Sequence, residues 1–339
     1  MSDTTGSSML SEKSRESDDA AASVLSSTFV GDIRKLRENI ATVIFGKIAV
    51  IDRLIICILS GGHALLEDVP GVGKTMLARA LAKSMSATFK RVQCTPDLLP
   101  ADLTGVNIFN QKTREFDFHP GPLFAEIALI DEINRATPRT QSAMLEAMND
   151  LQVTVDTQTM KLPEPFIVLA TQNPVEFMGT YPLPEAQLDR FLIQLKMGYP
   201  DRKAELKMLT EQQLRHPIET LQPVLTAQRL LDMRAQVRTV RVSEPISDYI
   251  ISLAEQTRNH KHISLGVSPR AGLMMYRASQ ALAALKARDF VLPDDIQELV
   301  HPVWTHRIRE TGATSMGDNR DRVGEILSDI VRAVPVPMA

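Results

Sequence analysis

The chain has 339 residues, with 38 Lys plus Arg against 41 Asp plus Glu, room for about two domains with a core in each. Residues 1–28 hold five acids (Asp3, Glu12, Glu16, Asp18, Asp19) against two bases (Lys13, Arg15) and so account for the whole deficit of three. The balanced remainder makes no electrostatic case for an obligatory nucleic-acid or anionic-membrane partner. The two cysteines, Cys57 and Cys94, sit in apolar or strand-like text, which suits buried reduced thiols rather than a disulfide framework. The most apolar run, 54–59, is far short of the ~20 residues a membrane span needs, so a cytoplasmic protein without membrane insertion is expected.

In chain order, residues 1–28 are rich in Ser, small residues and charge, lack the basic start and apolar block of a secretory signal, and are expected to be a disordered leader. Helical patterns at 29–39 and 47–59 flank the turn Phe45-Gly46. From about 29 to 200, short apolar runs alternate with helical text, which predicts a parallel α/β sheet with strands at 63–67, 88–93, 127–131, 166–171 and 192–197. Two segments, 102–120 and 151–165, alternate around the polar tips Asn110-Gln111-Lys112 and Asp156-Thr157-Gln158 and read as hairpin insertions, either passive surface or working devices. Beyond Tyr199-Pro200 helical periodicity takes over at 202–215, 227–238, 245–260, 269–288, 294–309 and 320–333, predicting a helical second domain over 201–339. Ser268-Pro269 supplies an N-cap and an N1 proline, and Pro293-Asp294-Asp295 puts acids in a first turn.

Three strand ends carry chemistry. The text HALLEDVPGVGKT at 63–75 is an apolar strand, a turn ending in Gly-Lys-Thr, and a helix start, with Leu77, Leu81 and Met85 four apart behind it. That is a phosphate-binding loop feeding a helix N-terminus. Gly71 and Gly73 let the backbone approach phosphate oxygens, Lys74 adds charge at the β/γ-phosphates, and the Thr75 hydroxyl suits Mg²⁺. Asp68 occupies the position of the first glycine of the general pattern GxxxxGK[ST], so an unusual backbone angle there would be costly. The second strand, IALID followed by Glu132, ends in paired acids; Asp131 suits the metal and Glu132 a water in line with the γ-phosphate. The third, FIVLATQNP at 166–174, ends in amides: Asn173 either orients water or phosphate or simply makes an Asn-Pro turn.

Together with these motifs, further text (CTPDLLPADLTG at 94–105, HPGPLFA at 119–125, DEINRATPRTQSAMLEAMND at 131–150, YPLPEAQLDRF at 181–191 and GVSPRA at 266–271) resembles the MoxR family of AAA+ ATPases, in the helix-2-insert group. The resemblance runs across nearly all of the chain beyond the leader, and Asp68 is ordinary within it. It implies an AAA+ P-loop αβα sandwich with a parallel sheet over 29–200, followed by an all-α lid, with ATP and Mg²⁺ as cofactors. It also implies hydrolysis of ATP to ADP and phosphate in a homo-oligomer, usually a hexameric ring with a nucleotide at each subunit boundary.

Carried onto this sequence, the family pattern makes Asp68, Val69, Pro70, Gly71, Val72, Gly73, Lys74, Thr75 and Met76 the nucleotide-binding loop. Val43, Ile44 and Gly46 line the adenine pocket, Asp131 joins Thr75 at the metal, and Glu132 is the base. Asn173 becomes the γ-phosphate sensor, Arg190 the finger offered to a neighbouring nucleotide, and Arg270 a further nucleotide-binding residue, the lid arginine called sensor 2. Arg135 and Arg139 compete for an interface role. The insertions would face the pore or the client, by family habit a protein of von Willebrand A type with a metal-binding MIDAS site. A metal-chelatase-like motor, a nucleic-acid remodeller and a non-hydrolysing ATP-binding switch remain open as alternatives. Intact Lys74, Asp131, Glu132 and Arg190 argue against the switch.

Overall fold

The computed structural model describes residues 25–337 apart from 157, 174–178, 212–216 and 313–319. The leader as far as residue 24, the tip residue Thr157, Pro174 and the last four residues of the expected helix 202–215 lie outside the described residues. Helices α1 (Ser27–Ala41) and α2 (Ile48–Leu59) lead into β1 (Ala64–Glu67), α3 (Lys74–Ser84), β2 (Phe89–Gln93) and the short α4 (Pro100–Thr104). The hairpin β3 (Gly105–Asn110) and β4 (Glu115–Pro120) follows, then β5 (Ile127–Asp131) and α5 (Pro138–Asp150). A second hairpin, β6 (Gln152–Val155) and β7 (Gln158–Lys161), precedes β8 (Ile167–Gln172), α6 (Glu185–Leu188) and β9 (Ile193–Leu195). The remainder comprises α7 (Arg202–Glu211), α8 (Pro217–Thr220), α9 (Ala227–Val237), α10 (Glu244–Asn259), β10 (Ile263–Leu265), α11 (Pro269–Leu285), α12 (Pro293–Trp304), β11 (Arg309–Glu310) and α13 (Arg320–Ala333).

The five expected sheet strands pair in the order β2-β5-β8-β1-β9, all parallel. Strands β1 and β5 are buried at every position because helices cover both faces, which is why their text is continuously apolar rather than alternating. One face packs through Phe29, Ile51, Leu66, Leu81 and Ile193, and the same apolar cluster continues unbroken into Leu253, Met275, Trp304 and Leu327 of the helical part. The other face packs through Leu65, Ile130, Leu145, Val168 and Phe191. The result is an αβα sandwich whose lid is continuous with one of its layers. Parallel pairing also brings β1 and β8 into register at Glu67 and Gln172, so the loops after both strands leave from one edge.

Three expectations change. The last residues of the expected leader belong to the fold: Leu25 is buried, and Ser26 caps α1 by accepting from the Phe29 N–H at 3.2 Å. The expected helix 294–309 stops at Trp304, and residues 305–307 tighten into a 3₁₀ turn. There His306 Nε2 lies 2.9 Å from the Phe191 carbonyl oxygen and Arg307 pairs with Asp189 at 3.0 Å. Those tertiary bonds outweigh local helical periodicity. The chain then pairs β11 antiparallel with β10, so the lid holds a two-stranded ribbon as well as helices.

Both insertions are hairpins, with Asn110 opposite Glu115 in the first and Val155 opposite Gln158 in the second. The first is pinned at its base by backbone contact: a Cβ on Gly121 would lie 2.2 Å from the Leu103 carbonyl oxygen, and one on Gly105, whose φ is +98°, 2.3 Å from that of His119. Its outer face exposes Phe109 and Phe116, stacked edge to face at 5.3 Å. Leu66→Ala is expected to cost about 2–5 kcal/mol through the cavity it leaves, lowering the thermal midpoint by several degrees, whereas Phe116→Ser, at a position 69% exposed, should leave the midpoint within a degree or two of the parent; scanning fluorimetry on the two variants checks both.

Candidate active site

The loop between β1 and α3 turns through Gly71 (φ +84°) and Gly73 (φ +95°), left-handed angles that only glycine adopts cheaply. Asp68 is not among the residues with positive φ, so the first turn needs no glycine and the cost foreseen from the sequence does not arise. Its side chain is used instead. Asp68 Oδ1 accepts from the Val69 N–H at 2.8 Å, and Oδ2 from the Gly198 N–H after β9, tying the loop to the next strand end. Lys74 Nζ donates to the Asp68 carbonyl at 2.6 Å. Burial pushes the Lys74 ammonium below its usual value, opposed by the charges of Asp68, Asp131 and Glu132. Thr75 stands in the first turn of α3.

At the end of β5 the two acids are held apart by geometry. Asp131, 8% exposed, accepts from Thr171 Oγ1 at 2.6 Å and from Arg91 Nη2 at 2.6 Å. Glu132 takes a left-handed φ of +57°, a strained conformation for a non-glycine. Its N–H donates to Thr171 Oγ1 at 2.8 Å, so one hydroxyl supports both residues. The twist turns its carboxylate to Gln93 Nε2 at 2.8 Å and Arg135 at 3.3 Å. Arg135 therefore lies against Glu132. Asn173, 5% exposed, directly follows β8 on the same sheet edge. Sequence reasoning missed Gln93, Arg91 and Thr171; a polar residue ending β2 was the available signal for Gln93.

Beside the loop is a cavity of about 320 Å³, at the lower end of small-molecule sites. Val43, Ile44, Pro70, Gly71, Val72, Gly73 and Met76 all line it, which brings the expected adenine-pocket and loop residues together. Gly46 lies just behind, where a Cβ would meet Ala204 Cβ at 3.0 Å. Phe45, Met197, Tyr199 and Met208 also line it and were not foreseen, since they meet only through the fold.

The two arginines are elsewhere. Arg190 and Arg270 line a second cavity of about 540 Å³ together with Arg234, Arg238 and Arg277, walled by His63 and Phe166, which precede β1 and β8. Arg270, grouped above with the nucleotide-binding residues, is thus beside Arg190 and not beside the loop. Strand β1 separates the two cavities by roughly 13 Å, four residues at about 3.3 Å each. Arg190 rests on the Asn149 amide, which, turned so that its oxygen faces the guanidinium, accepts from Nε and Nη2 at 3.2 Å. Burial and then the Arg270 charge lower the Arg190 guanidinium. His63 below it is buried neutral, with Nδ1 accepting from the Val168 N–H at 3.0 Å and a pKa lowered by burial to about 4.

Comparison with known proteins gives the family of the chain. Residues 63–193 match the ATPase family associated with various cellular activities (AAA), and residues 255–330 match the AAA lid domain. The Bacillus subtilis protein YeaC is 50% identical over 305 residues, 90% of this chain and 94% of that one. Chaperone MoxR1 of Mycobacterium tuberculosis is 37% identical over 80% of this chain and 74% of its own. The chain belongs to the MoxR family of AAA+ ATPases. A crystal structure of an ATPase candidate from Cytophaga hutchinsonii superposes with a TM-score of 0.82 at 36% identity, covering 97% of this chain and all of that one.

For a MoxR-family ATPase the implied metal is Mg²⁺, and the donor set suits it. Among the described residues no group of three or more His, Cys, Asp or Glu converges, whereas Mg²⁺ takes one or two protein oxygens and fills its remaining positions with water and phosphate oxygens. The Thr75 hydroxyl and the Asp131 carboxylate would be such oxygens. Cys94 lies behind the acids, with its N–H donating to the Asp131 carbonyl at 2.9 Å. Burial raises both Cys94 and Cys57 to about 12, so neither thiolate forms near neutrality. At pH 8 the native protein is expected to give no fast reaction with Ellman's reagent, and two equivalents once unfolded in guanidinium.

Proposed function

We propose that the chain hydrolyses ATP to ADP and phosphate in a homo-oligomeric ring, by family habit a hexamer, and spends the cycle on remodelling a protein partner. The observation that supports this most is the separation within one chain of the loop cavity from the arginine cavity. An arginine side chain cannot span a strand's length to its own nucleotide, but two arginines on the opposite edge of the sheet suit a nucleotide held by an adjacent subunit. In this reading residues 29–200 form the catalytic body and 201–339 the lid.

Val43, Ile44 and Gly46 bind the base, and the backbone of Asp68 to Gly73 cradles the phosphates with Lys74 at the β/γ position. Thr75 and Asp131 would hold Mg²⁺, which when bound neutralises the β- and γ-oxygens. Glu132 accepts the proton of the attacking water once one carboxylate oxygen turns from Gln93 and Arg135. Asn173 orients the γ-phosphate, and Arg190 with Arg270 of the adjacent subunit stabilises charge on the transferring phosphoryl group, a role worth ~10³ to 10⁵ in rate. Turnover then depends on assembly.

The partner is read as a protein, by family habit one of von Willebrand A type with a MIDAS site. The relative named a chaperone and the exposed Phe109–Phe116 pair support a protein client, and the charge balance of the body favours it over nucleic acid. No described helix is long and apolar enough to cross a membrane, in keeping with a cytoplasmic setting. The test is ATP turnover per subunit against protein concentration, with Mg²⁺: it should rise steeply and then level, and a flat rate would overturn the shared site. Glu132→Gln should hold a fluorescent ATP analogue within a few-fold of the parent affinity while losing at least ~10² in turnover.

A further inference from the structure

Arg190 belongs to the segment that ends α6, and Arg270 to the first turn of a lid helix, so something must fix their spacing. The segments that flank them are joined directly. Asp189, the residue before Arg190, accepts from Ser268 Oγ through both carboxylate oxygens, at 3.0 and 2.9 Å. Ser268 is the N-cap of α11, accepting from the Ala271 N–H at 3.1 Å, and stands two residues before Arg270. Asp189 also accepts from Arg307 Nη1 at 3.0 Å, while Arg307 Nη2 donates to the carbonyl of Phe191, the residue after Arg190. Arg307 thus holds the chain on both sides of Arg190 at once. Outside this contact, Arg309 pairs with Glu185 at the start of α6 at 2.6 Å.

From these contacts we propose that Arg307 is a positioning residue, which with Asp189 and Ser268 clamps the Arg190 segment to the start of α11 and presents Arg190 and Arg270 to the adjacent subunit's nucleotide as one preset pair. The inference rests on the shared-site reading above. Its physical basis is the planar guanidinium, whose fork serves a carboxylate and a carbonyl together where a lysine ammonium serves them as a point charge. The Arg307 side chain is 1% exposed, so removing it would leave the Asp189 carboxylate without its cation in a largely dry place. A small displacement of both arginines would follow, and misplacement of about 1 Å is worth up to ~10² in rate.

A residue that merely glues lid to body would harm its own subunit; a clamp on the arginine pair harms the neighbour's site. Mixing experiments separate the two. Full-length Arg307→Met, Arg307→Lys, Asp189→Asn and Arg190→Ala are each assayed alone and with excess Glu132→Gln, whose arginine pair is intact but whose own site is dead. Ring formation and subunit exchange are followed by energy transfer between labelled subunits. Arg307→Met alone should lose about 10- to 100-fold in kcat with KM for ATP changed less than about threefold. Excess Glu132→Gln should restore several-fold, as it should for Arg190→Ala, and Arg307→Lys should fall between parent and Arg307→Met. If Arg307→Met does not fold, Asp189→Asn, which keeps the oxygen facing Ser268, carries the same expectations. Turnover within twofold of the parent in a folded clamp variant overturns the clamp. So does a loss that Glu132→Gln does not rescue while Arg190→Ala is rescued, because the damage then lies in the variant's own site. Verified exchange without rescue of Arg190→Ala overturns the shared-site reading, and the clamp with it.

Discussion

Parallel pairing of five strands gives the sheet two unlike ends. Every crossover returns the chain to the same side, so the loops after β1, β5 and β8 all leave from one edge, which carries Lys74, Asp131 and Asn173. The opposite edge, where the strands begin, collects residues that precede them: His63, Phe166 and Arg190. The Gly71–Thr75 loop and Arg190 are divided between the edges by the direction of the chain itself. An antiparallel sheet would mix them.

Within the first edge, strain and hydrogen bonding are concentrated at the end of β5. Glu132 occupies a left-handed angle that costs a non-glycine residue roughly 1 kcal/mol or more. The Thr171 hydroxyl on the adjacent strand offsets it by accepting from the Glu132 N–H while donating to Asp131. The twist separates two adjacent carboxylates, one towards Arg91 and one towards Gln93 and Arg135. Neighbouring acids thereby acquire different surroundings.

The helical part does not hang from the sheet by a linker. Its buried residues join the cluster beneath α1 and α2, and its 305–310 segment grips residues 185–191 by Arg307 to Asp189 and Arg309 to Glu185. Lid and arginine-bearing segment therefore meet through one charge-assisted pair whose arginine is buried, Arg307 with Asp189, which is directional and costly to break singly, and through Arg309 with Glu185, more than a third exposed on both sides and worth less.

Local periodicity and motif chemistry determined much of this from the sequence. The five expected strands became the five sheet strands, two alternating segments with polar tips became hairpins, and Gly71-Val72-Gly73-Lys74-Thr75 fixed the loop because each residue type answers a local need. Contacts across the fold decided the rest. Gln93, Arg91 and Thr171 come to the acids from adjacent strands, and Met197, Tyr199 and Met208 reach the cavity beside the loop from beyond the sheet. Periodicity continued α12 through residue 309, but His306 and Arg307 turn aside to bond residues 189–191. Arg270 joined Arg190 because Ser268 bonds Asp189, 79 residues earlier in the chain. A motif names the atoms a residue brings; only the packing of distant segments decides which atoms they face.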